Sequence, residues 1–225
     1  FRRVLFRSEG NDSLAADDNQ SLWILPPAPK SFGFWRQPAD NPVDLMERQF
    51  LGAAIKSAGD GVWMRWRENE DGADALRAGG GMPSLDFLMI VGLSGWFEDE
   101  GLSDPLLSYL NAGGTALITP PEDSYVRMNR ALREPKILDF SFSGKKRTAF
   151  PMDPFRIDVL PENSSLAKVF SGDSSRDLYL AQILQFLQVE EGAGARVPLR
   201  DRSLRPLVLE RSFANGGKLV FLAFR

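Results

Sequence analysis

Leu85-Asp86-Phe87-Leu88-Met89-Ile90-Val91-Gly92, followed by Asp104-Pro105-Leu106-Leu107-Ser108-Tyr109-Leu110, Asn111-Ala112-Gly113-Gly114 and Thr115-Ala116-Leu117-Ile118-Thr119, is the stretch that decides the fold. Its first and last runs are apolar with almost no polar alternation. That marks strands buried on both faces, as in a parallel sheet covered by helices. The segment between them reads as a short helix closed by a glycine stop. Strand, helix and strand in this order make a right-handed crossover between parallel strands.

Upstream, Ser31-Phe32-Gly33-Phe34-Trp35 reads as a first strand of the main domain, and Asn41-Pro42 can open a helix. Leu45, Met46, Phe50, Leu51, Ala54 and Ile55 carry that helix on one apolar face until Gly59 or Gly61 ends it. Residues 62–67 suggest a second strand, and residues 68–83 a loop with a short helix at 73–78. Gly79-Gly80-Gly81 precedes a strand, whereas a phosphate loop follows one and opens a helix. Downstream, residues 124–132 predict a helix, 136–142 and 155–160 strands, and 178–189 a helix through Leu180, Ile183, Leu184 and Leu187. Two apolar runs at 204–210 and 217–224 flank Asn215-Gly216-Gly217, a strong hairpin signal. These elements predict a doubly wound α/β domain with a mostly parallel sheet and a C-terminal antiparallel hairpin.

The composition excludes several classes of chemistry. The chain has no cysteine and no histidine. Thiolate nucleophiles, disulfides, imidazole bases and imidazole metal ligands are therefore ruled out. A net charge of −3 supplies no basic field for nucleic acid. No apolar run reaches the ~20 residues that span a bilayer, and no signal-peptide pattern is visible.

Phe1-Arg2-Arg3-Val4-Leu5-Phe6-Arg7-Ser8 resembles the in-frame translation of a sequencing-library adapter, so residues 1–8 are set aside as a non-native tail. In residues 9–29, the strand-like Ser21-Leu22-Trp23-Ile24-Leu25 precedes the stiff linker Pro26-Pro27-Ala28-Pro29. This reads as a domain boundary with the last strand of an earlier domain before it, a β-sandwich by the resemblance given below. Residues 30–225 then form the main domain, expected to be truncated at its C-terminus.

Several pieces stand in a familiar order. They are Leu14-Ala15-Ala16-Asp17-Asp18-Asn19 before Leu22-Trp23-Ile24-Leu25-Pro26, the helix at 46–55, the strand–helix–strand unit at 86–118, and the closing pair 206–210 and 217–224. Over most of residues 12–225 the chain resembles the glutamine-amidotransferase-like domain of bacterial BatA-type proteins. Those are membrane-anchored and also carry a von Willebrand factor A domain. The resemblance implies a flavodoxin-like, class I amidotransferase-like fold and an extracytoplasmic position in the bacterial cell envelope. It implies membrane contact only through segments outside this sequence, and protein partners or other domains of the same chain. No cofactor is expected, and the charge balance gives no expectation of a nucleic-acid partner.

The departures from the enzymes of that fold are specific. The catalytic cysteine of class I amidotransferases follows the strand equivalent to residues 115–119, on a tight elbow. Here the elbow reads Pro120-Pro121-Glu122-Asp123. The catalytic histidine follows a late strand ending in phenylalanine, and here Phe224 is followed by Arg225. Glutamine hydrolysis by that mechanism has no nucleophile and no base.

In open sheets of this kind ligands bind beyond the carboxyl ends of the strands. The candidate ligand rim is Arg36, Ser94, Trp96, Glu98, Glu122 and Asp123, with no catalytic residue and no metal ligand assigned. Gly92-Leu93-Ser94-Gly95-Trp96 has a misplaced second glycine for a nucleophile elbow. Glu98, Asp99, Glu100 and Asp104 read as a solvated loop, with Ser103 or Asp104 capping the next helix. Asp139-Phe140-Ser141-Phe142-Ser143 has metal-adhesion spacing but alternates as a half-buried strand does. Lys145-Lys146-Arg147 reads as a solvated turn, and Trp63, Trp66 and Trp96 as packing residues. The expected function is a non-catalytic interaction or scaffold module. The alternative is a hydrolase or carbohydrate-binding module that uses the rim at 92–98 and 120–123.

Overall fold

The computed structural model describes residues 2–6, 20–24, 30–36, 64–69, 85–91, 103–120, 125–133, 136–150, 152–159 and 178–224, with Gln49, Ala53 and Leu166. In chain order the strands are β1 (Arg2–Phe6), β2 (Gln20–Ile24), β3 (Lys30–Arg36), β4 (Met64–Asn69), β5 (Phe87–Val91) and β6 (Thr115–Ile118). They continue with β7 (Ser141–Thr148), β8 (Phe155–Val159), β9 (Gln182–Ile183), β10 (Gln185–Glu190), β11 (Arg196–Asp201), β12 (Pro206–Ser212) and β13 (Lys218–Leu222). Helix α1 (Ser103–Asn111) lies between β5 and β6, and α2 (Tyr125–Arg133) between β6 and β7. Gln49 and Ala53 are helical, within the helix expected at 41–55. The short helix at 73–78 and the glycine triplet at 79–81 lie outside the described residues.

One nine-stranded sheet has the order β4-β3-β5-β6-β13-β12-β11-β8-β9. The pairs from β4 to β13 are parallel, and those from β13 to β9 are antiparallel. Two smaller ladders, β1–β2 and β7–β10, are antiparallel. The expected doubly wound domain is thus corrected to a mixed, curled and mostly β architecture. The hairpin of β12 and β13 is not a terminal addition. β13 pairs through its second edge with β6, Lys218 opposite Thr115 and Phe221 opposite Ile118, and so joins the two halves of the sheet.

A second correction concerns residues 178–189. Only 178–180 are helical, and β9 and β10 follow. Helical spacing would bury Leu180 and Leu184, but they are 66% and 48% exposed while Ile183, Phe186, Leu187 and Val189 are buried. Pairing of β10 with β7 overrides the helical period. The strand expected at 136–142 starts later. The chain turns at Lys136 (φ 59°), β7 begins at Ser141, and Lys145, Lys146 and Arg147 lie exposed within that strand rather than in a turn.

β5 fulfils the double-sided burial expected of it. Leu88 and Ile90 enter the main core with Leu106, Leu110 and Phe221, while Met89 and Val91 pack on the other face with Leu117. The Phe221 ring meets Phe140 at 5.1 Å and stacks on Phe142 at 5.5 Å. A second cluster, including Ile157, Phe186, Leu199 and Leu207, fills the antiparallel half.

The glycine stop after α1 is a Schellman motif. Gly113 (φ +100°) donates to the Leu110 carbonyl at 3.1 Å, and Gly114 to that of Tyr109 at 3.0 Å. The β12–β13 turn is of the I′ kind, with Asn215 at φ 54° and Gly216 at φ 81°, closed by Gly217 donating to Ala214 at 3.2 Å.

Candidate functional site

β3 lies between β4 and β5, so the chain leaves β3 toward one side of the sheet and returns on the other. The strand order reverses between β3 and β5, and open parallel sheets hold ligands beyond the carboxyl ends of the strands at such a switch point. Arg36, the last residue of β3, is in register with Val91, the last residue of β5. The segments carrying Ser94, Trp96 and Glu98, and Glu122 and Asp123, begin at the same end of the neighbouring β5 and β6. Those five residues, and the spacing of Glu98 from Glu122 on which a glycosidase-type carboxylate pair depends, lie outside the described residues. Of the six rim residues, the backbone of Arg36 is placed.

The elbow after β6 is described up to Pro120. Thr119 donates its amide to the Ile90 carbonyl at 3.0 Å, extending the ladder one residue past β6. Thr119 is 4% exposed, and Pro120 is buried beside it. A nucleophile elbow does the opposite: it lifts its side chain clear of the sheet and uses the next amide as an oxyanion donor. Pro120 has no N–H, and Pro121 follows it in the sequence. At the end of β13, where the amidotransferase histidine would follow, Ala223 donates to the Leu207 carbonyl at 2.8 Å and Phe224 bridges to Phe186.

Two polar residues behind the rim are structural. Ser103 does not cap α1 with its side chain. Its hydroxyl donates to the Ala131 carbonyl at 2.6 Å and ties α1 to α2. Tyr109 donates its hydroxyl to the Thr115 carbonyl at 3.0 Å, and burial pushes its phenol up to about 12. Asp104 is exposed in the first turn of α1.

The Asp139-Ser141-Ser143 spacing resolves as strand chemistry. Ser141 donates to Glu190 at 3.3 Å, Ser143 accepts from the Lys145 amide at 3.3 Å, and Phe142 between them is buried. Among the described residues no group of three or more acidic side chains could hold a metal ion. No helix among them is long and apolar enough to cross a membrane.

A second polar constellation, which no sequence motif marks, stands at the end of β11. Asp201 is 1% exposed at the end of β11. Its Oδ1 accepts from the amides of Ser203 at 3.0 Å and Arg205 at 2.8 Å, and its Oδ2 accepts from Arg205 Nε at 2.7 Å. Arg205 also forms an ion pair with it through Nη2. The guanidinium lies 5.0 Å and 5.1 Å from the ring centres of Phe155 and Phe186. The available signal was an aspartate opening a short turn between two apolar runs, which can bond the amides that follow it.

The fold is a parallel half of four strands extended through β13 by antiparallel strands. A ThuA-like protein from Bacteroides uniformis, known from a crystal structure, is similar to it with a TM-score of 0.60, over 90% of this chain and 84% of that one, at 10% sequence identity. ThuA-like proteins have a glutamine-amidotransferase-like fold, so the expected relationship is corrected. The structural likeness runs to a ThuA-like protein, and nothing supports the BatA-type or von Willebrand factor A assignment. No protein-family model and no curated protein matches the chain.

Proposed function

We propose that the chain is a non-catalytic interaction module built on a mixed, mostly β scaffold similar to that of a ThuA-like protein, with its working surface at the carboxyl ends of β3, β5 and β6. The observation that carries this reading is the elbow after β6. A buried Thr119 is held in the ladder there and is followed by Pro120, which has no amide to stabilise an oxyanion. The absence of cysteine and histidine from the sequence supports the same reading. The partners we propose are other domains of a larger parent chain or a second protein. The setting is the bacterial cell envelope, reached through segments outside this sequence.

The test places a photo-crosslinking amino acid at Glu122 in the full parent chain, with Glu190 on β10 as the control position. Irradiation is expected to join Glu122, and not Glu190, to another domain or to one discrete protein. Crosslinking that is equal from both positions contradicts the reading. A hydrolase activity lost on Ser94→Ala also contradicts it. A parent reading frame without membrane-spanning segments removes the envelope setting.

A further inference from the structure

Asn215 is the one asparagine, among the eight in the sequence, that a glycine follows. With Gly216 it sits at the exposed tip of the β12–β13 hairpin. Its side-chain amide donates to the Asn111 carbonyl at 2.9 Å, where α1 ends. The group that latches the hairpin to α1 is therefore the group that leaves when an asparagine deamidates. We infer that Asn215 is a deamidation site guarded by its own latch, and that conversion to aspartate or isoaspartate releases the hairpin tip from α1.

The reaction consumes one water and needs no catalytic residue. The Gly216 nitrogen attacks Cγ of Asn215, the Cγ–Nδ2 bond breaks, and ammonia leaves with the proton of the attacking amide. Water then opens the cyclic imide at either carbonyl. Attack at Cγ restores the main chain and leaves aspartate. Attack at the main-chain carbonyl leaves isoaspartate, whose chain runs through Cβ and Cγ.

Gly216 suits the attack once the tip opens. It carries no side chain to shield its nitrogen, and a Cβ built there would meet nothing within 4 Å. Asparagine is among the thermolabile side chains. The closed turn holds the reaction back. At ψ 23° Asn215 directs the Gly216 nitrogen away from its own side chain, so ring closure needs rotation about the Cα–C bond. That rotation is opposed by the bond to Asn111, by Gly217 donating to Ala214 at 3.2 Å and by Phe213 donating to Gly217 at 2.8 Å. Turn tips open locally far more readily than the whole fold, so the rate follows this opening.

The product cannot close the latch again. A carboxylate at 215 has no N–H for the Asn111 carbonyl. It also stands at the negative end of α1, whose last turn holds no basic residue. Isoaspartate adds a backbone atom to a two-residue turn, against the register of Ser212 with Lys218. Either change falls beside β13, the strand that joins the two halves of the sheet.

The purified whole chain, incubated at mildly alkaline pH, is cut with trypsin, which frees residues 212–218 between Arg211 and Lys218. That peptide is expected to gain about 1 Da, while the peptide holding Asn111 does not. A synthetic peptide of residues 212–218 should convert about tenfold to a hundredfold faster than the whole chain. The deamidated chain, separated by its added negative charge, and the Asn215→Asp variant should both unfold at lower urea than the parent and than Asn215→Gly. The inference is overturned if residues 212–218 of the whole chain gain no mass over about 100 half-lives of the synthetic peptide. Conversion of the whole chain as fast as the peptide overturns the guard, and unfolding of the deamidated chain together with the parent overturns the latch.

Discussion

The Asn215 side-chain amide donates to the Asn111 carbonyl at 2.9 Å, so the tip of the last hairpin closes the C-terminus of α1 across 104 residues of chain. The Lys218 amide adds a bond to the Gly114 carbonyl at 3.0 Å. The helix that feeds β6 and the strand that pairs with β6 are therefore locked at the same end. Asn215 serves twice, since its φ of 54° is also the left-handed conformation that the turn requires. Asn215→Gly keeps the turn and loses the amide, an expected cost of about 0.5–1 kcal/mol. Asn215→Ala loses both, for about 2 kcal/mol. Urea midpoints measure the two, and equal losses would show that the side-chain bond alone matters.

The glycines around this contact should separate by cause. A Cβ on Gly217 would stand 1.8 Å from the Leu110 carbonyl oxygen, whereas one on Gly216 meets nothing within 4 Å and carries only a φ of +81°. Gly216→Ala is expected to cost about 1 kcal/mol of backbone strain. Gly217→Ala should cost about 3 kcal/mol, because backbone must move to admit it. Thermal melts of the two variants test that order.

Tyr109 sets an alkaline limit. Its phenol is raised by burial from 10 to about 12, with the bond to the Thr115 carbonyl and the Asp86 charge as lesser influences. The folded state thus holds this proton more tightly than the unfolded one. The stabilisation is complete below pH 10 and falls away as pH rises toward 12. The Tyr109 step should come above pH 10, toward 12, in an absorbance titration at alkaline pH. Tyr109→Phe should remove that step, flatten the loss of stability over the same window, and cost about 1 kcal/mol at neutral pH.

Asp201 should be worth more than an ordinary surface partner. It is 1% exposed and accepts from two backbone amides and a guanidinium. Asp201→Ala strands those donors and leaves Arg205 without its counter-ion between two rings, an expected loss of about 3 kcal/mol. Asp201→Asn keeps an acceptor for the amides and should lose about half as much. Urea denaturation of both variants is the check, and a harmless Asp201→Ala would contradict the clamp.

How much of this was legible depended on whether the signal was local. Gly113-Gly114 and Asn215-Gly216 were readable because few residues tolerate their backbone angles, and β5 because both its faces are apolar. The second partner of β13 was not readable, since pairing with β6 is decided by an edge that no local pattern marks. The period of residues 178–189 fitted a helix on Leu180, Ile183, Leu184 and Leu187. The pairing of β10 with β7 instead buried Phe186 and Val189 and left Leu184 in water. For the site, the missing thiol and imidazole could be read from composition, while the burial of Thr119 needed the ladder to Ile90. The Asp201 turn lacked any motif that tells a clamp from a solvated aspartate.

Release of ammonia from glutamine by the purified chain tests the closed elbow most directly. With Thr119 buried in the ladder and Pro120 offering no oxyanion donor, the rate should equal that of buffer alone at every glutamine concentration. Saturable ammonia release that copurifies with the chain and is lost on Thr119→Val would contradict the reading of this scaffold as an interaction module.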